Sequence, residues 1–294
     1  MSDYLLLLLG AFMCSIQFVF QKKYQRASGE SARSAMLFTM LSGIVGAVYI
    51  LLLKGFKLEF SVFSMLMAAL TALDVMLINI VGIKTMRMGS LSVYTLFMML
   101  GGMIVPFIMG VFVLNERPSV FCVFATLLVV LSLYLPVLEK KSDGRAQKGA
   151  RKFYILCVSL FLLNGAYSCL SKLHQINSAA VSAQDFLFMI FAAEILFSGA
   201  ALAVQSAFKK SEPVKLGAKS LAYCLGFALF YGTGAILIIS GASVVNATVL
   251  YPTVTGGAII FSALNGRVIF GEKLNKFVVS EVLIAVAATI LFMF

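Results

Sequence analysis

The chain is written as long apolar runs broken by short polar stretches, and ten of the runs come near the length of a bilayer crossing. A helix needs about 20 predominantly apolar residues to traverse the hydrocarbon core. In the first half the runs are Tyr4–Phe20, Ala35–Leu53, Phe60–Ile83, Leu91–Leu114 and Ser119–Leu138. In the second they are Phe153–Leu170, Phe186–Phe208, Leu221–Ser240, Asn246–Phe270 and Phe277–Phe294. They are continuous and do not alternate at period two, as the strands of a membrane barrel would. Only helices and closed barrels satisfy their backbone groups in lipid, so the pattern predicts an all-α membrane protein with ten transmembrane helices.

The polar punctuation recurs. Val93–Leu135 lies over Val249–Leu291 without a gap at an offset of 156 residues, placing Glu116 on Glu272, Gly101 on Gly257, Gly110 on Gly266 and Arg117 on Lys273. Tyr4–Gln25 lies over Tyr154–Gln175 at an offset of 150, with Lys22 on Lys172. A six-residue insertion therefore falls between, in Asn177–Gln184 or Lys209–Ser220. Five helices per copy turn the second copy upside down, which predicts two inverted five-helix repeats: residues 1–138 and 153–294, joined by a basic loop at 139–152.

Composition agrees with the pattern: 61% hydrophobic residues, 12% charged and a mean hydropathy of +1.02, against about 25% charged in soluble domains. The longest connections, Glu139–Lys152, Ser171–Asp185 and Lys209–Ser220, are too short to fold as a soluble enzyme or ATPase. Gly217-Ala218-Lys219-Ser220 lacks the earlier glycine and the preceding strand of a phosphate-binding loop, and reads as a basic loop. No basic stretch precedes Leu5–Leu9, so this segment reads as a retained first span. The five cysteines have no metal-like spacing and read as small core residues.

The net charge of +11 has a topological explanation. Of the 23 Lys and Arg residues, all but Lys54, Lys57, Arg117 and Lys172 fall in the odd-numbered connections or at the helix ends beside them. Positive residues gather on the cytoplasmic side, so the count places both termini outside and leaves no need for a nucleic-acid partner.

The paired turns carry a resemblance. Gly256-Gly257-Ala258-Ile259-Ile260 running to Phe270-Gly271-Glu272-Lys273-Leu274, with its echo from Gly101-Gly102 to Leu114-Asn115-Glu116-Arg117-Pro118, is similar to the drug/metabolite transporter superfamily, specifically its ten-helix EamA-type members. The resemblance implies a secondary transporter, an exporter by expectation, in the plasma membrane, and cytoplasmic termini, opposite to the charge count, which is preferred here. The last two helices also resemble those of the small multidrug resistance proteins, dimers that mimic two fused halves. Their first helix carries a coupling carboxylate, whereas Tyr4–Phe20 and Phe153–Leu170 contain no Asp or Glu, so that mechanism does not carry over.

Asp74 and Glu194 stand in the middle of apolar spans, where a charge costs at least about 2.5–3.5 kcal/mol on insertion scales. Each is either a proton- or cation-coupling site or a neutral or paired carboxylate that knits helices together. Glu116 and Glu272 precede the fifth and tenth helices and read as structural turn carboxylates capping helix N-termini. Candidates to line a substrate cavity or to bond neighbouring helices are Gln17, Asn79, Tyr94, Asn164, Tyr167, Tyr231, Tyr251, Thr253 and Thr255, with Gln17 and Tyr167 equivalent across the repeat. Pro106 and Pro252 interrupt two spans. His174 reads as an interfacial polar residue.

The expectation is a transporter, not an enzyme, that moves a small organic metabolite or amphipathic compound by alternating access, with proton coupling through Asp74 and Glu194. It needs no cofactor and no metal. The alternative is a flippase of a lipid carrier or lipid-linked sugar; a membrane-embedded enzyme or accessory protein lacks the acidic or His cluster it would require. The partners are a small-molecule substrate and the bilayer, the fused halves allow a monomer, and the oligomeric state is open.

Overall fold

The computed structural model describes residues 2–29, 31–88, 91–140, 150–208, 214, 216–270 and 276–292. Ten helices and no strands form among them: α1 Ser2–Ser28, α2 Ala32–Leu53, α3 Val62–Met88, α4 Leu91–Phe112, α5 Val120–Lys140, α6 Ala150–Gln175, α7 Ala183–Phe208, α8 Ala218–Val244, α9 Ala247–Phe270 and α10 Lys276–Leu291. Seven are long and apolar enough to cross a membrane: α1, α2, α3, α6, α7, α8 and α9. Among the described residues, α4, α5 and α10 offer the shorter apolar segments Phe97–Phe112, Val120–Ser132 and Val282–Leu291. The chain is thus a helical, multi-pass membrane protein. Its outward residues agree: Leu5, Leu66, Leu127, Leu162, Leu196 and Leu283 are exposed, an apolar surface that suits lipid and far exceeds what water tolerates.

Hydropathy underestimates two helices. The first run stops at Phe20, yet α1 continues to Ser28 because Tyr24 is buried and donates its hydroxyl to the Ser34 carbonyl at 3.1 Å. The sixth stops at Leu170, yet α6 continues to Gln175 because Ser171, Lys172 and His174 are all buried against other helices. Ends rich in polar residues can stay helical when a neighbour satisfies them.

Helix starts keep the long offset. α3, α4 and α5 begin at Val62, Leu91 and Val120, and α8, α9 and α10 begin at Ala218, Ala247 and Lys276, each 156 residues later. α2 and α7 begin 151 residues apart, so most of the inserted length lies between the start of α7 and the start of α8.

The first five helices and the last five do not form separate bodies. The main contacts run between the sets: α1 on α8 and α9, α2 on α7 and α8, α3 on α6 and α7, α4 on α6 and α9, and α5 on α10. Replacing each helix by the one five places along returns the same set of pairs, with α2/α7, α4/α9 and α5/α10 mapping onto themselves. Apolar cores sit where these helices meet. One gathers Ile50, Ala68, Phe186, Ile190 and Ala235 from α2, α3, α7 and α8; another gathers Met103, Ala125, Val129, Ile259 and Ala288 from α4, α5, α9 and α10.

Candidate functional site

The α2/α7 crossing organises the centre. α2 bears Gly43 and Gly46 at the contact, and a Cβ built on Gly46 would lie 2.6 Å from the Phe191 ring. At Gly43 it would lie 3.3 Å from the Phe191 carbonyl oxygen and 3.9 Å from the Glu194 Cβ. Small residues let backbones approach closely in lipid, and here they seat Glu194, 6% exposed, at the crossing itself.

Around it stand groups from four other helices. Tyr167 of α6 and Tyr231 of α8 join hydroxyl to hydroxyl at 2.9 Å. Glu194 and Asp74 of α3 lie near the Tyr167 hydroxyl, and Cys14 of α1 stands against α8, where a Cβ on Gly234 would lie 2.6 Å from its Sγ. Tyr231 is held by ring contacts with Phe191 and Phe227 at 5.9 and 5.5 Å. Asp74 is 7% exposed, and its Oδ2 has no hydrogen-bond partner. Most buried polar atoms have a hydrogen-bond partner, so this oxygen stands out among the polar groups of the centre.

A narrow crevice lies beside this centre, between α2, α3 and α7. Its lining includes Met36, Thr39, Met76, Asn79, Ile80 and Ser198. The crevice lies toward the α1–α2 end of the bundle, and Ser198 is one helical turn from Glu194 on the same face of α7.

The other predicted residues fall into two groups. Asn79 donates to Thr39 Oγ1 at 3.0 Å on the crevice wall, and Gln17 is buried on α1. Asn164 donates to the Met98 carbonyl at 2.7 Å, tying α6 to α4, and Tyr251 donates to the Ser168 carbonyl, tying α9 to α6. Thr253 is buried with its Oγ1 unpartnered, and Thr255 is partly buried. The side chain of Tyr94 and the whole of Glu272 lie outside the described residues. Pro106 and Pro252 stand inside α4 and α9 without ending either helix.

Glu116 corrects the sequence reading in one respect. It does not cap α5, whose first turn is capped by Ser119 Oγ accepting from Cys122 N–H at 3.1 Å. Instead it crosses to α9, accepting from Ala247 N–H at 2.8 Å and from Thr248 N–H and Oγ1 at 2.9 Å each. Gly110 leaves the space, since a Cβ there would meet the Glu116 carboxylate. Nearby Lys172 is 4% exposed and donates to Ala242 O at 2.9 Å and Val245 O at 2.7 Å, at the end of α8. One junction thus has a cation on the carbonyl end of α8 and an anion on the amide end of α9, the signs the two helix dipoles favour.

His174, in the last turn of α6, is fully buried, stacked on Phe186 at 3.6 Å and on Phe63 at 5.7 Å. Nε2 pairs with Ser64 Oγ and Nδ1 with Gln175 Nε2, both at 2.8 Å. Sequence inspection also missed the ion pair of Lys54 Nζ with Asp185 Oδ2 at 3.0 Å, because both residues stand at run boundaries that read as loops. Among the described residues no group of three His, Cys, Asp or Glu side chains is placed to hold a metal ion.

Neither a protein-family model nor a curated protein matches the chain. Solved structures match its fold. One protein known from a crystal structure, whose name states no function, superposes with a TM-score of 0.72 at 15% identity, over 99% of this chain and 98% of that one. The likeness is one of fold alone.

Proposed function

We propose that this protein is a secondary transporter of the drug/metabolite type, built from two inverted five-helix repeats, that moves a small organic solute by alternating access. The observation that carries the reading is the exchange pattern of the packing. Shifting both members of each packed pair by five helices returns the same set of pairs, with α2 and α7 crossing on the exchange axis and a buried carboxylate, Glu194, at the crossing. Inverted repeats interlocked around a central site can rock between two openings related by a two-fold axis in the membrane plane.

The tyrosine pair, the aromatic rings of Phe191 and Phe227, and the two carboxylates suit a solute with an organic body and a polar or cationic group. Asp74 and Glu194 serve as exchangeable proton sites, emptied as solute binds. The crevice at Thr39 and Ser198 is the route from the α1–α2 end, and the basic connections at that end support a cytoplasmic opening. Export is the direction this orientation favours, with both termini outside.

A thermal-shift screen of purified protein against amino acids, nucleosides, sugars, polyamines and lipophilic amines tests the reading. A ligand at 100 times its Kd stabilises the folded state by about 2.7 kcal/mol. Stabilisation by one class, weakened in Glu194→Gln, supports it. Failure of all five classes, with transfer of fluorescent lipid headgroups across liposomes, replaces it with the flippase.

A further inference from the structure

Equivalent positions make equivalent contacts across the bundle. Gly257 lies 156 residues after Gly101, and Phe161 lies 150 after Ala11. A Cβ on Gly257 would lie 3.0 Å from the Ala11 Cβ, and one on Gly101 would overlap the Phe161 backbone, so α9 meets α1 as α4 meets α6.

The α2 and α7 helices are equivalent in the same way, and they begin alike. Ser31 Oγ accepts from Ser34 N–H at 3.1 Å, and Ser182 Oγ accepts from Asp185 N–H at 3.3 Å. The 151-residue offset of these caps makes Gly43 and Glu194 equivalents. These two also meet, since a Cβ on Gly43 would lie 3.9 Å from the Glu194 Cβ. Two equivalent residues in contact must lie on the axis that relates them. Contacts on either side agree with that centre: Lys54 meets Asp185 toward the α2–α3 end, and Met40 comes nearest Gly199 toward the other.

The pair is unequal. One member is a buried carboxylate and the other has no side chain. A Cβ at position 43 would already lie 3.1 Å from Ile195 Cγ1 and 3.3 Å from the Phe191 carbonyl oxygen, and a second carboxylate there would set two like charges in contact. No basic residue stands on α7, and α2 has only Arg33 in its first turn. The titratable groups around Glu194 are Asp74 of α3, Tyr167 of α6 and Tyr231 of α8, with Cys14 of α1 against α8. Asp74 is not on the axis: its equivalent, 156 residues on, is Phe230, whose ring stacks on Phe20 at 5.6 Å.

We infer that Glu194 is one carboxylate shared by both openings of the transporter, seated on the exchange axis by Gly43, its side-chain-free equivalent. This rests on the transporter reading. A group on the axis keeps the same relation to the two halves when their helices exchange partners, so proton and solute reach it from either end in turn. Gly43 is the positioning residue, because any side chain there would push Glu194 to one side. Asp74, off the axis and matched by an aromatic ring, serves one opening only.

The test uses the full chain in liposomes of uniform orientation, with a pH-sensitive dye inside and amino acids, nucleosides, sugars, polyamines and lipophilic amines imposed in turn. Glu194→Gly should lower the solute-driven pH shift about tenfold or more. Gly43→Glu with Glu194→Gly carries the carboxylate across the axis to α2, and should restore the shift to within about threefold of wild type. Glu194→Asp should change the half-saturating solute concentration by the same factor on both sides of the membrane, whereas Asp74→Glu should change it on one side. Should the exchanged variant fail to fold, this comparison decides.

A wild-type shift that a folded exchanged variant does not recover, or a one-sided change in Glu194→Asp, overturns the shared carboxylate and leaves the transporter standing. No solute-driven shift in wild type from any of the five classes overturns both.

Discussion

At the residue scale, the buried polar groups divide by how fully they are satisfied. Lys172, Glu116 and His174 each make two or more short contacts that lock helix ends together. Asp74 has an oxygen with none. Satisfied groups should cost stability when removed, whereas the unsatisfied one should cost activity. Lys172→Met strands the Ala242 and Val245 carbonyls and is expected to destabilise the protein by about 1–3 kcal/mol, read as a lower melting temperature in detergent. Asp74→Asn and Glu194→Gln should leave that temperature within a few degrees of wild type and abolish proton-driven uptake in vesicles. A mutant that keeps wild-type coupling removes its carboxylate from the mechanism.

At the element scale, close helix approach is set by glycine. On α4, a Cβ at Gly101 would overlap the backbone carbonyl of Phe161 on α6, which cannot rotate away. On α7, a Cβ at Gly199 would meet only Met40 Sδ at 3.9 Å, an ordinary contact. Gly101→Ala should therefore destabilise by about 1–3 kcal/mol, whereas Gly199→Ala should be neutral or stabilising by up to about 1 kcal/mol. The same thermal assay distinguishes them, and equal losses would contradict the packing.

This scale also bounds what the sequence could convey. Hydropathy finds where helices lie, because a crossing needs a continuous apolar run. It cannot find helix ends such as Tyr24 or His174, whose polar atoms are satisfied by residues distant in the chain. Glu116 was recognisable as a carboxylate for helix amides, but its target is α9, 131 residues on from it to Ala247. The central carboxylates were legible one by one because a charge in an apolar run is conspicuous. Their convergence on the Tyr167–Tyr231 pair was not, since five helices contribute and no periodicity links them.

For the whole molecule, the proposed machine follows from interlocking. Halves that packed as separate bodies would meet in one interface and hinge there; here nearly every main contact joins one half to the other. In the proposed cycle the motion is then a concerted exchange of partners, with α2 and α7 crossing at the pivot. Orientation belongs at this scale too. A cytoplasm-sensitive reporter fused after Phe294 should be silent, as the loop charges imply, and activity there would reverse the membrane sidedness without altering the pivot.

Solute-coupled proton movement is the most direct test of transport. Purified protein is sealed in liposomes with a pH-sensitive dye inside, and inward gradients of amino acids, nucleosides, sugars, polyamines and lipophilic amines are imposed in turn. At least one class should shift the internal pH in wild type, and the shift should vanish in Glu194→Gln. No shift from any class, with radiolabelled solutes failing to cross under a proton gradient of either sign, would contradict transport by this site.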